Sequence, residues 1–235
     1  KVTGTGDNKA GVSKNHSINK LFSYKIGNAS NEIFALFMAR IYEKFPYSKL
    51  ALFSTLKFVQ GTNFIKFREY YLAMYLGGFV VPANTFDNVQ GNFPIGFTIW
   101  DLSLKEKISR IKCDVFEKNE TFYGIKYFYG DLPKSINKWL IYFYCKKSDI
   151  NIGMLSTRGN DFQNQKYIYL AVKINNKVHD TKVNISENNI IPICIYFSVR
   201  HCIEATWLND RDQFLFPNDG WKADTEFQND CIAFT

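Results

Sequence analysis

The sequence predicts a mixed α/β fold: a sheet that ends in an antiparallel hairpin, followed by an α+β region. Three observations point that way. Residues 31–75 switch between helical and strand-like apolar periodicity. Two apolar runs, Phe79-Val80-Val81 and Phe93 to Trp100, flank a polar loop that holds a single aromatic residue, Phe86. Beyond Leu102 the pattern changes to short aromatic strands and one late helix.

The elements follow in order. Residues 1–30 are rich in Gly, Asn, Lys and Ser and read as a loop that turns helical near Ile18 to Tyr24. Asn28-Ala29-Ser30 supplies a cap for a helix over 31–45, whose apolar stripe is 33, 34, 37, 38 and 41; Pro46 ends it. Leu50-Ala51-Leu52-Phe53-Ser54 is a short apolar run and reads as a buried strand. Thr62 or Asn63 caps a second helix, Phe64 to Tyr75, which Gly77-Gly78 stops. Strand, helix, strand in that order implies a right-handed crossover. The return from 79–82 to 93–100 takes about ten residues, too few for another crossover, so these strands pair antiparallel. The hairpin is placed at the sheet edge, with Phe86 carried outward.

Further on, Ile108 to Tyr129 and Trp139 to Lys146 contain short aromatic strands. Tyr167 to Ile174 alternates as a strand and runs into the turn Asn175-Asn176-Lys177. Pro192 to Leu208 reads as a helix with apolar residues at 193, 195, 196, 199, 203 and 207. The change of character near residue 104 divides the chain into 1–103 and 104–235.

Composition narrows the function. A chain of 235 residues buries a sizeable core as one large or two modest domains. Its 46% apolar and 17% aromatic content argue against broad disorder. The net charge of +7 favours an anionic partner, nucleic acid being the commonest. Five cysteines, at 113, 145, 194, 202 and 231, form no CxxC pair, which points to reduced thiols in a cytoplasmic protein and to no zinc site. Cys194 and Cys202, eight apart, fall on one helical face and read as core. No apolar run reaches the roughly 18 residues of a membrane span. The first residue is not Met and the last four are Ile-Ala-Phe-Thr, so the expectation is a piece of a longer protein.

Few residues carry a chemical motif. Thr3-Gly4-Thr5-Gly6-Asp7 lacks the preceding strand that a phosphate loop needs and reads as a polar loop. His16, His179 and His201 have no metal-ligand spacing. Asp161, Asp180 and Lys182 supply the residue types of a Mg²⁺-dependent nuclease core, in a Lys-rich chain where one such set arises near chance. Arg200, Glu204, Asp210, Arg211 and Asp212 read as an ion-pair network around Trp207, with Arg200 and Glu204 paired four apart on a helix. Lys14, Asn15, Asn19, Lys20, Lys25, Lys57, Lys66 and Arg68 fall near the loops of the sheet, where they are candidates for phosphate contact.

Four segments taken together resemble a known family: Ser48 to Ser54, the helix Asn63 to Tyr75, Val81-Pro82-Ala83-Asn84-Thr85-Phe86, and Pro94 to Trp100. They are similar to the second half of the catalytic domain of adenine-N6 DNA methyltransferases, above all the methylation subunits of restriction–modification systems. In that family the fifth strand is followed by a helix and then by an antiparallel hairpin closing the sheet. The resemblance covers about residues 28–102, and Trp207 to Phe214 is also similar to such subunits.

The family's most specific motif is a tetrapeptide of Asn or Asp, Pro, Pro, and Tyr or Phe that hydrogen-bonds the adenine amino group. This chain has no Pro-Pro, and it has no Gly-rich S-adenosylmethionine loop with a strand before it. The resemblance therefore implies a C-terminal part that starts just after the tetrapeptide and carries no catalytic residue of its own. The cofactor would be S-adenosylmethionine, held by the full-length protein mostly outside this chain. Phe86 would be the aromatic that stacks on the flipped-out adenine, and 104–235 a target-recognition region. The partners would be double-stranded DNA and a restriction or specificity subunit. The 235 residues alone would not transfer methyl groups. Two other readings stay open: a non-catalytic DNA-binding specificity module, and the nuclease.

Overall fold

A computed structural model of the chain describes residues 16–89, 91–146, 149–174 and 181–235. The contacts divide these into two units, with the break after Leu132.

The first unit opens with α1 (Ser17–Ile26), capped by His16, whose ring accepts from the Ile18 N–H at 3.3 Å. Then come α2 (Ile33–Lys44), β1 (Lys49–Thr55), the short α3 (Lys57–Gln60) and α4 (Ile65–Tyr70). β2 (Met74–Pro82), β3 (Pro94–Asp101), β4 (Arg110–Phe116) and β5 (Phe122–Tyr129) complete a five-stranded mixed sheet in the order β1-β3-β2-β4-β5.

The hairpin is antiparallel as expected, pairing Val81 with Ile95 and Phe79 with Phe97. It does not sit at the edge. β3 also pairs antiparallel with β1, so the hairpin occupies the middle and β1 and β5 are the edges. β1 and β2 run in the same direction, as a crossover requires, but β3 lies between them.

Two other expectations change. The second helix ends at Tyr70, because Tyr71 turns inward to stack on Phe67 at 5.2 Å and Met74 begins β2. Gly77-Gly78 is therefore no helix stop. Gly77, at φ 154°, sits where the β2–β3 register shifts, and a Cβ on Gly78 would lie 2.2 Å from the Phe97 carbonyl oxygen. The sheet also does not finish near residue 104. β4 pairs in parallel with β2 through Phe79↔Asp114 and Val80↔Val115, and β5 pairs with β4, which moves the division to Leu132.

The alternation along each strand gives the sheet two faces. One carries Trp100, Val80, Ile111, Cys113, Val115 and Phe128, all buried. Trp100 packs there against Phe58 and Tyr71, beside the buried Phe22, Ala35, Met38 and Phe67 of the helices.

The second unit holds α5 (Ile136–Leu140), β6 (Gly153–Thr157), β7 (Tyr169–Ala171), β8 (Thr181–Ile185), α6 (Ile190–His201) and α7 (Thr225–Phe234). The strands form an antiparallel sheet, β7-β6-β8. Its core is built on Trp139, Leu155, Val183, Ile193, Tyr196 and Phe214. The expected strand over Trp139–Lys146 is instead α5 and a 3-10 turn at 141–143, which bury Trp139 and Leu140 together. The late helix stops at His201, so Cys202 is exposed while Cys194 is buried; all five cysteines are free. The expected strand Tyr167–Ile174 shrinks to Tyr169–Ala171, and the turn 175–177 lies outside the described residues. Among the described residues, no helix is long and apolar enough to cross a membrane.

Candidate functional site

The second face of the five-stranded sheet is aromatic. The pairing sets Phe53 of β1 opposite Phe97 of β3, and Phe97 opposite Phe79 of β2. Their ring centroids are 4.8 and 5.5 Å apart. Phe79 meets Phe116 at 5.9 Å, and Phe116 meets Phe122 at 5.6 Å. A row of rings thus crosses all five strands. Phe53, at one end, is 51% exposed, and Phe79, Phe97 and Phe116 are half-buried.

Phe86 joins this row at the Phe53 end. β2 stops at Pro82, and Ala83–Thr85 make a single 3-10 turn. The Ala83 N–H donates to the Phe93 carbonyl at 3.0 Å and closes the hairpin, while the Phe86 N–H donates back to Ala83 at 3.2 Å. This brings the Phe86 ring 5.4 Å from Phe53 at 72°, an edge-to-face contact. Phe86 is half-buried, with Asn84, Thr85 and Asp87 exposed around it. It does not stand outward as a free ring. It rests on Phe53 and keeps part of its surface open, an arrangement able to take a flat aromatic ligand by stacking.

The residues expected to touch DNA differ in exposure and in what already holds them. Lys20 is exposed on α1. Asn19 is buried and donates to the Ser30 carbonyl at 2.8 Å. Arg68 is 8% exposed and donates to the carbonyls of Phe58 and Gly61, both at 3.0 Å; burial lowers its pKa. A phosphate has no access to such a guanidinium, so for Asn19 and Arg68 the structure assigns an internal role. Lys57 pairs with Glu32 at 3.2 Å. Lys25 pairs with Glu43, which also accepts from the Tyr70 hydroxyl at 3.0 Å. The bond between them raises the Lys25 pKa and lowers that of Glu43. Lys66 is exposed. Lys14 and Asn15 lie outside the described residues, as does 3–7.

Set against known proteins, the chain matches no family model, no curated protein and no solved structure.

In the second unit, Arg200, Asp161, Asp210, Arg211 and Lys182 are engaged within the fold. Arg200 is fully buried and does not pair with Glu204, which is exposed beyond the end of α6. Its guanidinium donates to the Tyr196 hydroxyl at 2.8 Å, Gly159 O at 2.9 Å and Asp161 O at 3.3 Å, and lies 4.7 Å from the Phe214 ring centre. Asp210 and Arg211 pair at 2.9 Å. Of the nuclease set, the Asp161 carboxylate caps the 162–167 turn and Lys182 donates to Ile174 O at 2.8 Å; Asp180 lies outside the described residues. His201 sits on Phe197 with its ring nitrogen 2.8 Å from the Phe197 carbonyl, and His179 is outside the described residues. Among the described residues no three His, Cys, Asp or Glu side chains gather as a metal site.

The described residues do not fit an S-adenosylmethionine loop. β1 passes through Leu56 directly into α3, and at Gly78 the neighbouring strand already fills the space a Cβ would take.

The aromatic row is not evident from the sequence. Its signal was present as the alternation Ile95, Phe97, Ile99 in β3, but alternation does not say which face helices cover.

Proposed function

We propose that the chain forms the DNA-binding and base-stacking part of an S-adenosylmethionine-dependent adenine-N6 DNA methyltransferase of a restriction–modification system. The observation that carries the reading is the seat of Phe86. A half-exposed ring sits at the turn of an antiparallel hairpin, and that hairpin follows a strand and a helix in the order of the resemblance. In this reading the enzyme binds duplex DNA and turns an adenine out of the stack, at a cost of a few kcal/mol. Stacking on an aromatic ring returns about 1–3 kcal/mol of that. Phe53 beneath Phe86 fixes the tilt of the ring that meets the base. The group that polarises the adenine amino nitrogen and most of the cofactor site belong to other residues, so the 235 residues alone are expected to be inactive.

The test is fluorescence of 2-aminopurine placed opposite an abasic site in duplex DNA, where the base is already unpaired. Binding of the wild-type chain should quench it. Phe86→Ala should retain binding, followed by anisotropy, and lose the quench. An unchanged quench in Phe86→Ala removes Phe86 from the role, and a chain that fails to bind duplex DNA at low salt removes the DNA reading altogether.

A further inference from the structure

The aromatic face changes character over β4 and β5. In β4, Ile111, Cys113 and Val115 point into the core, and Arg110, Lys112 and Asp114 alternate with them on the exposed side. The register sets Arg110 opposite Tyr129, Lys112 opposite Tyr127 and Asp114 opposite Ile125. Tyr127 and Tyr129 are 41% and 44% exposed. The Arg110 guanidinium lies 4.9 Å from the Tyr127 ring centre.

These two cations share one sheet face with exposed tyrosines, and among the described residues neither is tied up in an ion pair. Lys25, Lys57 and Lys107 each pair with a carboxylate. Among the described residues, neither Arg110 nor Lys112 makes an ion pair, and Asp114 on the same strand bonds to neither.

We infer that this patch of β4 and β5 holds the phosphate backbone of duplex DNA. The inference rests on the DNA reading given above and names the surface that serves it. Arg110 and Lys112 are two residues apart on one strand, so their Cα atoms stand about 6.7 Å apart. Both can thus engage one backbone without either side chain crossing the other. Stacking on Tyr127 holds the Arg110 fork in place, which reduces the freedom lost when it bonds a phosphate. The tyrosine hydroxyls beside them are further donors of the kind that phosphates accept. A neutral protein surface laid on the same patch would bury two cations without partners, at a large desolvation cost. A polyanion satisfies both.

The experiment is anisotropy of a short labelled duplex with the full chain, repeated across a salt series. The double variant Arg110→Ala/Lys112→Ala alters exposed residues, and a circular dichroism melt checks that it folds. It should bind at least about tenfold more weakly, and its plot of log affinity against log salt should be flatter by about two. Lys222→Ala removes a cation paired with Asp219 in the second unit and should change affinity less than about twofold. A double variant with wild-type affinity and slope overturns the inference and leaves the DNA reading standing. Weaker binding with an unchanged slope also overturns it, because the lost contact was then not ionic. No binding by the wild type at low salt overturns the DNA reading itself.

Discussion

Replacing Arg68 by Ala separates an internal fastener from a DNA contact. The guanidinium donates to the carbonyls of Phe58 and Gly61, both at 3.0 Å, from a position 8% exposed. These carbonyls lie in α3 and just after it, where a four-residue helix leaves its last acceptors without helical donors. Removing the donor strands the Phe58 carbonyl, while Gly61 O keeps its bond from the Phe64 N–H at 3.0 Å. Hydrogen bonds to a charged group are worth about 1.5–3 kcal/mol each, and relief of the cation's desolvation offsets part of the sum. The expected loss is about 2–4 kcal/mol. A unit of this size has a total stability on the order of 6–17 kcal/mol, so the loss is a large share. At roughly 4 °C per kcal/mol, the melting temperature should fall by about 8–16 °C. Arg68→Lys keeps one donor position and should recover about half of this. Lys20→Ala, an exposed cation on α1, should stay within about 0.5 kcal/mol of wild type. Circular dichroism melts of the three variants decide it. If Arg68→Ala melts within about 2 °C of wild type, the fastener argument is wrong.

Glu43→Gln should alter the acid limb of the stability profile. The bond from Lys25 holds the Glu43 carboxyl below its ordinary value of 4.5, so its contribution is present above that pH and lost as pH falls through the lower folded-state value. The raised Lys25 value acts at the other end, with a contribution present below 10.5 and lost as pH rises through the folded value. Urea midpoints from about pH 2.5 to 6 should fall more steeply in wild type than in Glu43→Gln, and parallel profiles would count against the pair. Alkylation at pH 8, mapped by mass spectrometry, should reach the exposed Cys202 first. Cys113, whose thiol burial pushes up to about 11, should react only on unfolding; equal rates in the folded protein would contradict its buried placement.

The parts of the fold that could be read locally were read well. β1 at Lys49–Thr55 and α2 at Ile33–Lys44 lie within a residue or two of the runs that announced them, because each has one uninterrupted period, but β1 is an exposed edge strand rather than the buried strand its apolar run suggests. The second helix was overextended because Tyr71 and Met74 continue a helical spacing from Phe64 and Phe67, while Tyr71 is held by its stack on Phe67 outside the helix. The place of β3 between β1 and β2, and the parallel link from β2 to β4, depend on pairings distant in sequence, and no local pattern encodes them. The site divides the same way. Phe86 was legible as the lone aromatic of a polar loop, but its support by Phe53 was not. Arg68 misled because a charge count does not say which side of a helix faces the core.

The placement of the two proposed contacts on one sheet has a physical consequence. Phe53, which seats Phe86, is on β1, and Arg110 and Lys112 are on β4; between them lie β3 and β2. Three strand spacings of about 4.8 Å put the two strands about 14 Å apart, and since Phe53 is level with Asp114 across Phe97 and Phe79, Lys112 and Arg110, two and four residues earlier in β4, lie about 16 and 20 Å from Phe53 on the same face. A hydrogen-bonded sheet with Phe97 and Phe79 packed across the gap holds that separation far more rigidly than two loops would. In the proposed reading, backbone contact at β4 and base stacking at Phe86 are then coupled by geometry. A duplex held at Arg110 and Lys112 presents its bases to Phe86 at a set distance, and much of the orientational freedom of the turned-out base is removed before it stacks. This places the separation between base and backbone contacts in the sheet, and leaves the reading of sequence to elements outside it.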